Sequence, residues 1–191
     1  MVGVFAADDR GGCAGGEEAV TANFPACLTF VLAREGGWSD DPRDNGGATM
    51  HGITLRTFQG YKAGATKHEL RNISDKDVAA IYHYGYWMPV RGDDLPAGID
   101  LMTFDFGVTA GPQRAVQELQ QAVGVTADGV LGPISLAAIG KASVSGTIAK
   151  LSGLQRTYYR SLPTFATFGH GWINRTDARV LAALKMMGKT K

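Results

Sequence analysis

No stretch of this 191-residue chain approaches the roughly eighteen consecutive apolar residues that a membrane-spanning helix needs. Cysteine is scarce: Cys13 stands in a Gly-rich stretch and Cys27 in a helical one. The pair forms no metal pattern, and two separate thiols are preferred over a disulfide between them. An excess of charge of one sign is also missing. The formal net charge is +1, with 19% of residues charged, which argues against a nucleic-acid binder. The four histidines, His51, His68, His83 and His170, show no ligand spacing, so neither a metal nor a cofactor is expected. The start, Met1 to Ala7, is apolar but short, lacks a basic region and is followed by Asp8 and Asp9. It reads poorly as a secretory signal. No internal repeat and no strand-rich region is evident.

What is present is a hydrophobic fraction of 45%, enough to build one compact core or two small ones. Residues 1–22 hold five glycines and four acids and read as a flexible tail. From Phe24 the pattern becomes helical: Phe24, Cys27, Leu28, Val31 and Leu32 share one face, Pro25 suits the first turn, and Gly36–Gly37 end it. A polar stretch from Trp38 to Gly52 carries the turn signals Asp41-Pro42 and Asn45-Gly46 and could hold a small hairpin.

Beyond it the chain reads as helical almost throughout. Thr54 caps a helix toward Ala63, and Ser74 with Asp77 starts another through Tyr84. The segment after Pro96 is apolar nearly all round and predicts a central buried helix. Pro112 and Pro133 open two more, and Gly124 closes the first of these. A longer helix runs from about Val144 to Tyr159, and a last one is capped by Thr176 and ends at Gly188. The expected class is all-α, with a small loop or hairpin after the first helix and a central buried helix.

The chemistry centres on Glu35. Eleven helical steps of about 100° from Phe24 return to within about 20° of the same face. Glu35 therefore projects from the apolar side of the first helix, at its C-terminal end. Desolvation and the helix dipole both favour the neutral carboxyl there, as a general acid requires. The competing reading is a glutamate at a frayed helix end, pointing to water. Asp40, Asp41 and Asp44 follow on a turn-rich loop, then Thr49, His51 and Thr54. Glycoside hydrolysis commonly uses two carboxyl groups on opposite sides of the bond, and a helix-end glutamate facing an Asp-rich loop can supply them. Each Asp also has an ordinary use as a turn cap.

The run Arg34-Glu35-Gly36-Gly37-Trp38-Ser39-Asp40-Asp41-Pro42, continuing through Asp44, Gly46-Gly47, Thr49 and Gly52-Ile53-Thr54, resembles the signature of the glycoside hydrolase 108 muramidases. That family includes phage endolysins and proteins once called secretion activators. The spacing is also similar to phage-type lysozymes: Glu, Asp nine positions on, then Thr and Gly-Ile. Thr49 here follows Glu35 by fourteen positions, one fewer than in that pattern. Thr103 to Pro112 is similar to a further family segment, with Thr109 where Asn is usual. Leu119-Gln120, Val123-Gly124-Val125 and Asp128-Gly129-Val130-Leu131-Gly132-Pro133 resemble the family's C-terminal peptidoglycan-binding region.

The resemblance implies hydrolysis of the β-1,4 bond from N-acetylmuramic acid to N-acetylglucosamine in peptidoglycan, ending in cell lysis. It implies Glu35 as general acid, Asp44 as second catalytic candidate with Asp40 or Asp41 as substitutes, and Thr49 as a third catalytic position. The expected substrate contacts are Trp38, Asp40, His51, Asp105, Gln117, Gln120 and Asp128. For Asp105, in the central apolar helix, a buried partner and structural support are expected first. The aromatics Tyr82, Tyr84, Tyr86 and Trp87 read either as core or as sugar-stacking faces. A muramidase region at 23–90 is expected, followed by a peptidoglycan-binding helical region at 91–191 packed on it.

From Lys141 onward nine basic residues face one acid, a surplus of +8. This is either a solvated helical face or a means of transient contact with the bacterial outer membrane. A monomer is expected, made in the cytoplasm and reaching the periplasmic face of the wall by phage- or prophage-type release. A wall-binding accessory protein without turnover and a lytic transglycosylase stand as alternatives.

Overall fold

The computed structural model describes residues 23–41 and 47–187. The expectations placed on the tail, Cys13, Asp44, the Asn45-Gly46 turn and Gly188 lie outside these residues. The fold is mainly helical and lysozyme-like, with one small hairpin. The chain divides into two compact units, Met1–Gly85 and Tyr86–Lys191.

In the first unit, α1 (Phe24–Leu32) has Pro25 in its first turn and buries Phe24, Cys27, Leu28 and Val31. Its end is tightened by i→i−3 bonds, from Arg34 N–H to the Val31 carbonyl (2.9 Å) and from Glu35 N–H to the Leu32 carbonyl (3.2 Å). Two short antiparallel strands follow, β1 (Thr49–Met50) and β2 (Ile53–Thr54), with Thr49 opposite Thr54 and Met50 opposite Ile53. Their turn is His51-Gly52, not a signal in the earlier loop. His51 and Gly52 have φ of 51° and 73°, and positive values at both positions match the right-handed strand twist. Ser39 and Thr49 exchange both backbone hydrogen bonds, at 3.0 and 2.8 Å. The segment after Glu35 is thereby stitched to the free side of β1.

Thr54 caps α2 (Leu55–Tyr61), its hydroxyl accepting from Thr57 N–H. A short helix not singled out in the sequence, α3 (Lys67–Arg71), has the more complete capping box. The Thr66 hydroxyl accepts from Glu69 N–H, and the Glu69 carboxylate accepts from Thr66 N–H. Ser74 caps α4 (Asp75–Tyr82) as expected. The chain then widens into a π-helical turn, His83–Trp87.

The second unit is built around α5 (Ile99–Ala110), in which every residue from Ile99 to Gly107 is buried. The expected central helix is therefore present. α6 (Pro112–Val123), α8 (Val144–Ser161) and α9 (Phe165–Met187) pack on α5, and α7 (Pro133–Lys141) packs on α6. Gly98 precedes α5 with φ of 91°; a Cβ there would lie 2.6 Å from the Ala183 carbonyl, so the helix start and α9 meet backbone to backbone. α9 begins eleven residues before the expected Thr176. Thr176 is no cap: it is buried mid-helix, and its hydroxyl donates to the Trp172 carbonyl at 2.9 Å. No helix among the described residues is long and apolar enough to cross a membrane.

Candidate active site

Glu35 sits in the turn that ends α1, half-buried. The preceding Arg34 turns away, stacking on Phe30 at 3.5 Å and donating to the Phe30 carbonyl. Glu35 lies three residues past the end of α1, so the tightened turn and not the expected helix face sets its direction. Opposite it lies the His51-Gly52 turn. A Cβ built on Gly52 would stand 2.7 Å from Glu35 Oε2 and 3.2 Å from its Cδ, well inside contact distance. Only a residue without a side chain leaves the carboxyl this position. Tyr82, from the end of α4, reaches the same point: its hydroxyl lies 2.9 Å from that Cβ position and donates to the His51 carbonyl at 2.8 Å. By sequence Tyr82 reads as core or as a sugar face. The ring is core, and the hydroxyl faces the turn. The signal that could have found it is the lone polar atom on an otherwise buried helix face.

Thr49 and His51 are half-buried, Thr49 at the base of the hairpin on β1 and His51 in the turn, next to the glycine that faces Glu35. Trp38 is half-buried, with the Arg71 guanidinium 5.7 Å from its ring centre. A partly exposed indole beside a cation is a surface on which a sugar ring or an amide can lie. Asp40 is exposed, and both its oxygens take hydrogen bonds from Lys67 Nζ, at 2.9 and 3.0 Å. Asp41 is half-buried.

The other expected contacts lie in the second unit. Asp105 is fully buried. Arg175 grips it through Nε and Nη2, the shortest contact 2.7 Å, and Arg179 Nε stands 2.7 Å from its other oxygen. The Arg179 N–H is not aligned for a hydrogen bond, so that contact is ionic. Burial alone would push the Asp105 carboxyl up. The two guanidinium groups outweigh it and hold the carboxyl below the ordinary aspartate range. The expected buried partner of Asp105 is therefore this arginine pair, and its saturated, solvent-free carboxylate does not fit the substrate contact also expected of it. Arg179 continues through Gln155 (2.6 Å) to the Met102 carbonyl. Because Arg175 and Arg179 turn inward, the +8 surplus is not all surface charge.

Gln120 is also interior, 1% exposed. Its amide nitrogen donates to Asp128, the Val130 carbonyl and Ser135, and its oxygen accepts from Gly129 N–H. Asp128 is held low by the Gln120 hydrogen bond and then by Val130 N–H. The two residues tie the 128–132 loop and the start of α7 to α6, with Gln120 buried and Asp128 exposed. Of the glutamine face on α6, Gln113 and Gln121 are exposed and Gln117 is half-buried. Trp87 is core, set edge-on to Phe104 with its indole N–H donating to Asp93, and Tyr84 is half exposed.

Among the buried acids, Glu118 was not foreseen. Glu118, 4% exposed, has an oxygen with no hydrogen-bond partner. Burial pushes its carboxyl up to about 7, against the pull of Arg114 and Arg179. Among the described residues no group of three or more His, Cys, Asp or Glu is arranged to hold a metal ion.

A family model described as Glycosyl hydrolase 108 matches residues 28–111, the segment that carries Glu35, Gly52 and Tyr82. The chain is also similar to a solved structure of Brucella abortus SagA. The two share 39% identity with a TM-score of 0.79, over 88% of this chain and 97% of that one. No curated protein matches. An identity of that size over nearly the whole of both chains, with the family match lying across the site, decides the matter: the chain belongs to the glycosyl hydrolase 108 family and is a glycoside hydrolase.

Proposed function

We propose that the chain hydrolyses the β-1,4 bond between N-acetylmuramic acid and N-acetylglucosamine in bacterial peptidoglycan, with Glu35 protonating the leaving sugar oxygen. The observation that carries this reading is the meeting of the half-buried Glu35 carboxyl with the side-chain-free face of Gly52. The Glu35 carboxyl, in the turn that follows α1, sits against the backbone of the His51-Gly52 turn. A polymer can approach the turn without a side chain in its way.

The second carboxyl is proposed to be Asp44. Lys67 already engages Asp40, which favours the neighbours of Asp40 on the loop. If water attacks directly, the two carboxyl groups should stand about 6.5–9.5 Å apart, and the product should be inverted at the anomeric carbon. Trp38 is proposed to stack on the glycan. The exposed Gln113 and Gln121, with Gln117, are proposed to meet its amides or stem peptide, as part of a wall-binding region at 91–191. The site of action is the bacterial wall, and lysis follows from strand cutting there.

The test is Glu35→Gln on purified peptidoglycan, with mass analysis of the fragments. The reading expects loss of at least about a hundredfold in rate for the variant, in line with removal of a general acid. It also expects wild-type fragments with an ordinary reducing muramic end. Full activity in the variant refutes the assignment, and anhydro ends, one water lighter, replace hydrolysis by transglycosylation.

A further inference from the structure

We infer that Tyr82 is a positioning residue for Glu35. Its hydroxyl holds the His51-Gly52 turn at the one place where Gly52 leaves the carboxyl its seat. This rests on Glu35 being the general acid.

The turn needs an outside tether. Each strand of its hairpin is two residues long, and an isolated two-stranded hairpin is marginal in water. His51 holds φ of 51°, a left-handed value that costs a non-glycine residue energy and persists only where the surroundings enforce it. The Ser39–Thr49 pairing secures the base of the hairpin, not its tip. At the tip, the bond from Tyr82 to the His51 carbonyl anchors the turn to α4. The Tyr82 ring is 2% exposed, so its hydroxyl is carried by a rigid, packed side chain.

The position that this bond sets matters for the acid. The Gly52 Cβ position lies within 3 Å of both Glu35 Oε2 and the Tyr82 hydroxyl. The turn, the acid and the tyrosine therefore share one small space, and a shift of the turn toward α1 displaces the carboxyl. Catalytic groups need placement to about 0.5 Å, and a misplacement near 1 Å can cost up to about a hundredfold in rate. The alternative is that the hydroxyl only satisfies a buried carbonyl. That role would be felt in stability alone.

Tyr82→Phe keeps the ring and removes only the hydroxyl. The proposal expects kcat on peptidoglycan to fall about tenfold or more in a folded variant, with KM within about twofold, since only placement of the acid has changed. In a Glu35→Gln background the same substitution should change the residual rate by less than about twofold, because its route of action is gone. A lowered melting temperature with kcat kept overturns the proposal, as does a loss confined to KM or a further tenfold loss in the Glu35→Gln background. If Tyr82→Phe does not fold, Gly52→Ala presses on the same seat from the turn side. Loss of kcat with KM kept then supports the proposal, and a folded Gly52→Ala with full kcat overturns it. If Glu35→Gln is fully active, the acid assignment itself fails. If Glu35→Gln is dead while Tyr82→Phe turns over normally, the positioning role alone fails.

Discussion

Asp105 Oδ2 and Arg179 Nε stand 2.7 Å apart with both side chains fully buried, joining the central helix of the second unit to the last one. Removing one member of such a pair leaves the other charge without compensation, which costs about 3–5 kcal/mol. Asp105→Asn should therefore lower the melting temperature sharply, and truncation after Ala178, which also deletes the buried Ala183, should abolish folding of the second unit. The pH sense follows from the depressed Asp105 carboxyl. Its stabilisation is complete above the unfolded aspartate range and is lost as pH falls through the lower folded value. Thermal melts on the two proteins should differ most near pH 7 and draw closer as the pH is lowered.

Glu118 works in the opposite direction. Its carboxyl is pushed up to about 7 in the fold from an ordinary 4.5, so ionisation opposes folding. The penalty is absent below about pH 4.5, grows as pH rises and is complete above about 7. Glu118→Gln should leave the melting temperature unchanged near pH 4 and raise it at pH 8, by about 1–3 kcal/mol of stability. A variant less stable than the parent at pH 8 would contradict this.

Asp40 and Asp44 should separate kinetically. The Asp40–Lys67 pair is exposed, and such pairs are worth about 0–1 kcal/mol. Asp40→Asn should change both melting temperature and turnover little, whereas Asp44→Asn should lose turnover if Asp44 is the second carboxyl. Side-by-side rates on the same peptidoglycan decide between them.

Gln120→Leu keeps the bulk but strands Gly129 N–H and Ser135 of their partner. A loss of about 1–3 kcal/mol is expected. Hydrogen exchange at Gly129 and Val130 should quicken before exchange elsewhere does.

Much of the helical frame was legible because its punctuation is chemical. Pro25, Pro112 and Pro133 open helices, Ser74 and Thr54 cap them, and Gly124 closes one at φ of 79°. The helical phase counted from Phe24 does not extend to Glu35, because α1 ends at Leu32 and a tightened turn places the glutamate opposite Gly52. α9 was placed late because Thr164, the residue before its start at Phe165, was passed over for Thr176, which instead bonds back within the helix. The hairpin turn was missed because His-Gly is not among the strong hairpin dipeptides, and Asn45-Gly46 advertised a turn more loudly. The partners of Asp105 were beyond reach for a different reason. Arg175 and Arg179 are 70 and 74 residues away, and only tertiary packing joins them. The same holds for Gln120, whose place on a polar-looking face hid an interior role.

His51 sets a choice before anyone who wants a hardier version of this enzyme. A left-handed turn position occupied by an imidazole is a reserve of stability that asparagine or glycine would release, by something near 1 kcal/mol. The release would come one residue from the glycine that faces Glu35. If the thermostable His51→Asn enzyme also works at full rate, the ring was a relic. If it works slowly, strain at this corner is what the chemistry requires.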